Sequence, residues 1–254
     1  MEYHILASGS KGNSTFIYDN GVGILIDCGI SKRQLFNKLN SLGFNENNIQ
    51  YVLLTHDHID HNKYIDIFSK DIIYCGNGCL DIEDSHILEA YQLIRLAHYK
   101  ITPLPLSHDA TSPLGFVIEG DKESILYMTD TGYVSQKNMN YMMNLDYYII
   151  ESNHDIEMLM ETRRPLFLKN RILGDKGHLN NEYSANLMVQ VIGDKTKEIC
   201  LAHLSSEANT KELALNTYNN IFEDEHLYFD NIKVADQKEI VSGGKYESKD
   251  LNNW

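Results

Sequence analysis

The sequence predicts an α/β sandwich, with sheets packed on one another and helices outside. Three observations predict it. Short apolar runs separated by turns fill the N-terminal half, strands and helices alternate through the second half, and no Gly/Ser-rich linker divides the two. A doubly wound parallel sheet would alternate strand and helix from the start. The 254 residues can bury a two-layer core without disulfides or structural metals. A single domain over 1–240 is therefore expected, followed by a polar tail, 241–254.

Tyr3 to Leu6 reads as the first strand, followed by the loop Ser8-Gly9-Ser10-Lys11-Gly12-Asn13-Ser14. Thr15 to Tyr18 is the second strand, and Asp19-Asn20-Gly21 is a tight turn that returns the chain as Gly23 to Asp27. Ser31 is placed to cap a helix running to about Leu42, with Leu35, Leu39 and Leu42 on one side. Gly43 stops it. Tyr51 to Leu54 is a short, fully apolar strand, and Asp71 to Tyr74 a further short run. A helix is expected near 84–96, then strands near 101–106, 114–119 and 124–128. Residues 136–144 read as helix and Asp146 to Ile150 as strand. Residues 155–173 read as helix with a break near Pro165, which lacks a backbone N–H. A helix near 182–192, a strand at 198–202, a helix at 207–221 and a last strand near 226–229 complete the body.

Net charge is −14, from 22 basic and 36 acidic side chains, which argues against a general nucleic-acid coat protein. A local anion site stays open, because bound metal ions invert the local field. No apolar run approaches the roughly 18 residues of a membrane span, so no membrane partner is expected. Met1-Glu2-Tyr3-His4 lacks the basic start and apolar run of a signal peptide, and a cytoplasmic location is expected. Four cysteines, at 28, 75, 79 and 200, are too few and too irregular for a disulfide framework. Cys28 and Cys200 fall in apolar runs and read as core thiols. Cys75 and Cys79 could bind a metal, but there are no two further cysteines to finish such a site, and a structural role is expected for the pair.

The strongest chemical signal is His56-x-His58-x-Asp60-His61, directly after a buried strand. Imidazole nitrogens and carboxylate oxygens suit zinc, iron or manganese. In an extended segment His56 and His58 point to one side and can share an ion. If the chain then turns into a helix, Asp60 and His61 can face a second ion. Further candidates stand at other strand ends: His108 after 101–106, Asp130 after 124–128 and His203 after 198–202. Ligands on strand ends can converge at one edge of a sandwich.

With these residues the chain resembles the metallo-β-lactamase superfamily. The THxHxDH signature stands as Thr55 to His61, with His108, Asp130 and His203 following in order. The resemblance implies a four-layer αβ/βα sandwich with two divalent ions at one edge. It places His56, His58 and His108 on the first ion and Asp60, His61 and His203 on the second, with Asp130 bridging. A closer resemblance is to the YycJ/WalJ-like branch, through Leu6 to Ser14, Ser107 to Ala110, Thr129 to Gly132, Glu151 to Asp155, Gly177 to Asn181 and His203 to Ser205. That branch implies a metal-dependent phosphodiesterase, with DNA as substrate for an exonuclease. Asp130 stands where many true β-lactamases place cysteine, which disfavours antibiotic hydrolysis. The stretch between Asp130 and His203 is too short for the RNA-processing β-CASP insertion.

Zn2+ and Mn2+ fit the donor set, and iron is possible. Coordination would bring the pKa of bound water towards neutrality, and Asp60 could orient the bridging hydroxide. The resemblance makes His178 the best candidate for the acid or phosphate contact, with capping of the helix near 182–192 as the alternative. His154 is open between supporting a ligand, touching substrate, ligating directly and a structural role. Glu151 and Asp27 could orient the metal imidazoles. The loop with Lys11 could hold a phosphate or shape the site floor, or be a simple turn. Arg163, Arg164, Lys169, Arg171 and Lys176 could guide a nucleic-acid backbone or form a solvated helix face. Ser205, Ser206 and Asn209 could contact phosphate or cap the helix that follows. The tyrosines, including Tyr147 and Tyr148, read mainly as strand residues and form no stacking platform by themselves. The rival function is hydrolysis of a small phosphodiester or thioester, which the net charge favours.

Overall fold

The computed structural model describes residues 1–244. The first sheet is built from β1 (Glu2–Ala7), β2 (Ser14–Asp19), β3 (Val22–Ile26), β4 (Ile49–Leu54), β5 (Ile73–Gly76) and β6 (Ile87–Leu88). The second holds β7 (Ile94–Leu96), β8 (Tyr99–Pro105), β9 (Leu114–Glu119), β10 (Ser124–Met128), β11 (Tyr147–Glu151), β12 (Glu198–Ala202) and β13 (Ile232–Val234), after which β14 (Val241–Gly244) rejoins the first. The strand orders are β14-β1-β2-β3-β4-β5-β6 and β13-β12-β11-β10-β9-β8-β7. Each sheet is antiparallel on one side and parallel on the other; the change falls at β3 in the first and at β10 in the second. The helices are α1 (Lys32–Ser41), α2 (Ile59–Asn62), α3 (Gln136–Met142), α4 (Ile156–Glu161), α5 (Leu166–Leu173), α6 (Asn181–Val191) and α7 (Lys211–Asp224). Among the described residues no helix is long and apolar enough to cross a membrane.

The apolar runs are continuous because these strands are buried on both faces. In β10, Ile125 and Tyr127 enter the core between the sheets, whereas Leu126 and Met128 pack with residues of α6 and α7. In β11, Tyr147 and Ile149 face inwards while Tyr148 and Ile150 meet the helices. In β3, Ile24 and Ile26 lie between the sheets, and Leu25 packs with Leu35 and Leu39 of α1. The period-two alternation of strand side chains thus serves three cores and gives the four-layer αβ/βα sandwich. Ser31 caps α1 with a capping box to Gln34. Cys28 and Cys200 are fully buried, and burial pushes both thiols up to about 12. Cys75 and Cys79 pack with Leu54, and the Cys79 thiol donates to the Thr111 carbonyl.

Three sequence expectations are corrected. The helix near 84–96 is a 3-10 turn followed by β6 and β7, each pairing with a neighbouring strand. Tyr91 has φ +67° there, which an α-helix cannot hold. The strand expected near 226–229 lies at Ile232–Val234, because His226 at φ +57° closes the end of α7. The first residues of the expected tail form β14 against β1. Gly243 is needed at that edge, since a Cβ would fall 1.8 Å from Glu198 Oε1, the oxygen that accepts from Tyr3 OH at 2.6 Å. The rest of the expected tail lies outside the described residues.

Glu123 ties β10 to β11 by accepting from Tyr147 OH and from Lys197, both at 2.7 Å. Burial opposes its ionisation, but hydrogen bonds from Lys197, the amino terminus and Tyr147 outweigh it and hold the carboxyl down at about 2. A carboxyl lowered on folding contributes stability above its unfolded pKa and loses it as pH falls through the folded value. Glu123→Gln is therefore expected to lower stability at pH 7 by about 1 kcal/mol or less, since the pair is partly screened. Urea denaturation should show the gap closing as pH drops from about 4 towards 2.

Candidate metal centre

The first sheet brings four donors. β4 ends at Leu54, and the chain passes through Thr55 and His56 into α2, whose N-cap is His58 and which carries Asp60 and His61. This segment is seated by the loop after β1. Asn13 N donates to the Asp60 carbonyl at 2.8 Å, Gly29 N to the Asn13 carbonyl at 2.9 Å and Cys28 N to the His61 carbonyl at 2.7 Å. Gly29 is required at that contact, because a Cβ would lie 1.8 Å from the Asp60 carbonyl oxygen. Buried Asp27 organises the imidazoles. It accepts from His61 Nδ1 at 2.7 Å and from Thr55 N at 2.8 Å. The Thr55 hydroxyl also donates to Asp27, and His56 Nδ1 lies 3.0 Å from that hydroxyl.

The second sheet brings the other three, each just past a strand end: His108 after β8, Asp130 after β10 and His203 after β12. Glu151, the last residue of β11, is fully buried. Its Oε1 receives His178 Nδ1 at 2.8 Å and His203 Nδ1 at 2.9 Å. Its Oε2 receives the backbone N–H groups of Thr131 and Leu179 at 3.0 and 3.1 Å. Burial alone would raise this carboxyl, but His178 and His203 overcome it and hold it down at about 2. His203 in turn is opposed by burial and raised to about 9 by Asp130 and Glu151. Asp27, Asp130 and His203 have φ of +62°, +58° and +55°. That left-handed backbone costs non-glycine residues about 1–3 kcal/mol each and clusters at functional sites.

These seven side chains converge. Possible ligand atoms of His56, His58 and His108 lie within 4.8 Å of one another, as do those of Asp60, His61 and His203, and of His56, His61 and Asp130. Asp130 sits between the sets, with Oδ2 3.2 Å from His61 Nε2 and Oδ1 3.5 Å from His203 Nε2 and 3.9 Å from His108 Nε2. In four histidines Nδ1 is engaged: His56 by Thr55, His61 by Asp27, His108 by the Gly177 carbonyl and His203 by Glu151. That leaves the Nε2 atoms of His56, His108 and His203 to the centre, while His61 Nε2 lies 2.9 Å from Asn13 Nδ2. His56 Nε2, His203 Nε2 and Asp130 Oδ2 are buried without hydrogen-bond partners among the described residues. Buried polar atoms rarely stay unsatisfied, and imidazoles oriented through the other nitrogen are the usual setting of metal ligands. The donors fit divalent ions. Glu151 also lies within reach of the cluster, but its oxygens already accept four hydrogen bonds, which makes it the orienting group.

The remaining candidates divide. His178 reaches the centre, with Nδ1 3.6 Å from Asp130 Oδ1, and it does not cap α6, whose N-cap is Asn180. His154 is buried, with Nδ1 3.3 Å from Asn153 Oδ1 and no partner for Nε2 among the described residues. Lys11 stands exposed; its loop contributes Ser10 to a cavity of about 450 Å3 that also carries Arg164, Arg171, His178, His203 and Ser205. Ser205 Oγ accepts from Glu207 N and Ala208 N, and the N-cap of α7 is Thr210. Of the basic cluster, Arg164 and Arg171 reach this cavity, paired with Glu207 at 3.0 Å and Asp109 at 2.6 Å. Lys169 is buried with its amine on the Met160 carbonyl, while Arg163 and Lys176 are exposed. Sequence reasoning missed Asn13, whose Nδ2 lies 2.9 Å from His61 Nε2 and 3.4 Å from Asp60 Oδ2. Its signal was the loop motif itself, read for its hydroxyls, glycines and lysine. Tyr133 and Tyr183, beside His154 and His178, were also missed.

The family described as the beta-lactamase superfamily domain matches residues 23–203. Exodeoxyribonuclease WalJ of Streptococcus pneumoniae serotype 2 (strain D39) is 36% identical over 235 residues, covering 87% of each chain. Exodeoxyribonuclease YycJ of Bacillus anthracis is 31% identical over 237 residues, covering 88% of this chain and 90% of its own. Among solved structures, the metallo-β-lactamase fold protein YhfI of Bacillus subtilis superposes with a TM-score of 0.70 at 15% identity, over 94% of this chain and 98% of its own.

Glu151→Gln removes the charge that holds two imidazoles in place. Loss of such an orienting partner typically lowers metal affinity 10–100-fold, and that loss is expected here. Chelator competition measures it, with a thermal melt to verify that the variant folds.

Proposed function

This chain belongs to the metallo-β-lactamase superfamily, and within it we propose that it is a metal-dependent phosphodiesterase that digests DNA from an end. The observation that carries the reading is the one-third identity, over most of the chain, to proteins named exodeoxyribonuclease. The converging donors beside an arginine-lined cavity support it. His56, His58 and His108 would hold one ion, Asp60, His61 and His203 the other, and Asp130 both. Zn2+ and Mn2+ are the preferred ions and iron is the third choice. When bound, such ions act as Lewis acids that make hydroxide available near neutral pH and stabilise charge on a phosphoryl oxygen.

The chain's own groups do the rest. Glu151 accepts from His178 Nδ1, and in the imidazolium form Nε2 carries a proton that it can give to the leaving oxygen. His178 lines both cavities, where a scissile ester would lie. Arg164 and Arg171 are held by carboxylates, and a backbone phosphate can replace a carboxylate on a guanidinium with the same fork geometry. Their positive charge is local, within a chain of net charge −14. That acidity, with cavities of about 360 and 450 Å3, favours the second reading, a small phosphodiester or thioester as substrate.

Metal-reconstituted protein is expected to shorten end-labelled DNA progressively from one end, and His58→Ala to lose that activity. Cleavage confined to bis-p-nitrophenyl phosphate or a thioester would move the assignment to the second reading. Arg171→Ala is expected to weaken DNA binding across sequences and to reduce the slope of log K against log salt by about one, read by fluorescence anisotropy at several salt concentrations.

A further inference from the structure

A second depression, of about 360 Å3, shares His178 with the arginine-lined cavity, and its walls carry Tyr133, Tyr183, His154, Asn180 and Asp175 as well. Tyr133 stands on the loop that begins at Asp130, with its carbonyl held by the Thr131 hydroxyl at 2.8 Å. Tyr183 sits in the first turn of α6, its backbone N–H fixed on Asn180 Oδ1 at 2.8 Å. The two tyrosines are 46% and 41% exposed, on backbone that the metal-site loops hold in place. Flat, amphipathic rings of this kind are good partners for a planar heterocycle. At the wall, His154 is 1% exposed and its Nε2 has no hydrogen-bond partner among the described residues. A buried polar atom in that state calls for a ligand or water partner.

We propose that this depression is the subsite for the terminal base: the nucleotide removed at each turnover lays its base against Tyr133 and Tyr183, and His154 and Asn180 meet its polar edge. The inference rests on the phosphodiesterase reading above. The volume lies at the lower end of the range for small-molecule sites, about 300–1,000 Å3. It suits one base and its sugar rather than a continuing strand, as release from an end requires. Stacking accepts every base, because each has a π-face, so the subsite senses the presence of a base more than its identity. The cavity with Arg164 and Arg171 then takes the backbone phosphates, and the depression with Tyr133 and Tyr183 takes the departing base.

The test compares two DNA ends on the metal-loaded protein: one carrying a normal terminal nucleotide, the other an abasic terminal residue. Stacking of one base corresponds to about tenfold or more. The abasic residue is expected to leave with kcat/KM lowered about tenfold in the wild type, and the ratio is expected to fall towards one in Tyr133→Leu. Tyr183→Leu is the second variant should the first fail to fold in a thermal melt. Equal rates on both ends in the wild type would overturn the subsite and leave the exonuclease reading standing. If the wild type shortens no DNA, that reading fails, and titration with thymidine 5′-monophosphate against deoxyribose 5-phosphate judges the subsite alone. Roughly tenfold tighter binding of the nucleotide, lost in the variant, would uphold it; equal binding would overturn it.

Discussion

The arrangement of the site depends on one buried carboxylate. Glu151 ends β11 and accepts from two imidazoles and two backbone N–H groups. Those four donors come from three places: the loop after β10, the approach to α6 with His178 and Leu179, and the end of β12. An isolated charge at that depth would be prohibitive. Fully satisfied, it becomes a hub that fixes where each loop must stop. His203 cannot rotate its Nε2 away, and His178 cannot leave the rim, without stranding the carboxylate.

Asp27 does the same work in the first sheet. It closes β3 and gathers Thr55 and His61, and through the Thr55 hydroxyl it sets the ring of His56. Burial raises the Asp27 carboxyl, and His61 opposes the rise. The two sheets thus present equivalent devices at one edge: a buried acid at a strand end, an imidazole oriented by it, and a ligand nitrogen turned inwards.

Much of this was legible in the sequence, for a physical reason. Strands buried on both faces must be apolar throughout, so a histidine or aspartate immediately after such a run stands at the sheet's edge. His56, His108, Asp130 and His203 were readable in that way, and Asp27 and Glu151 as their supports. The helix near 84–96 was misread because its apolar residues satisfy sheet edges, a demand set by distant strands rather than by local spacing. Asn13 escaped because its partners are Asp60 and His61, far along the chain. Tyr133 and Tyr183 escaped because exposure beside a cavity is a property of the assembled loops, and tyrosine in a strand-rich chain reads first as a strand residue.

Neither sheet supplies all the donors of either proposed ligand set. His56, His58, Asp60 and His61 follow β4, whereas His108, Asp130 and His203 follow strands of the other sheet. Protein contacts at this edge include His203 N donating to Ser8 Oγ at 2.7 Å, Leu114 N to the Thr55 carbonyl at 2.9 Å and Thr111 N to Asp57 Oδ1 at 3.0 Å. Ions held here would act as a rivet through both sheets, adding to stability by mass action because a half-assembled chain cannot bind them as well. Chelation and parting of the sandwich are then coupled: whatever strips the centre loosens the seam, and whatever loosens the seam empties the centre.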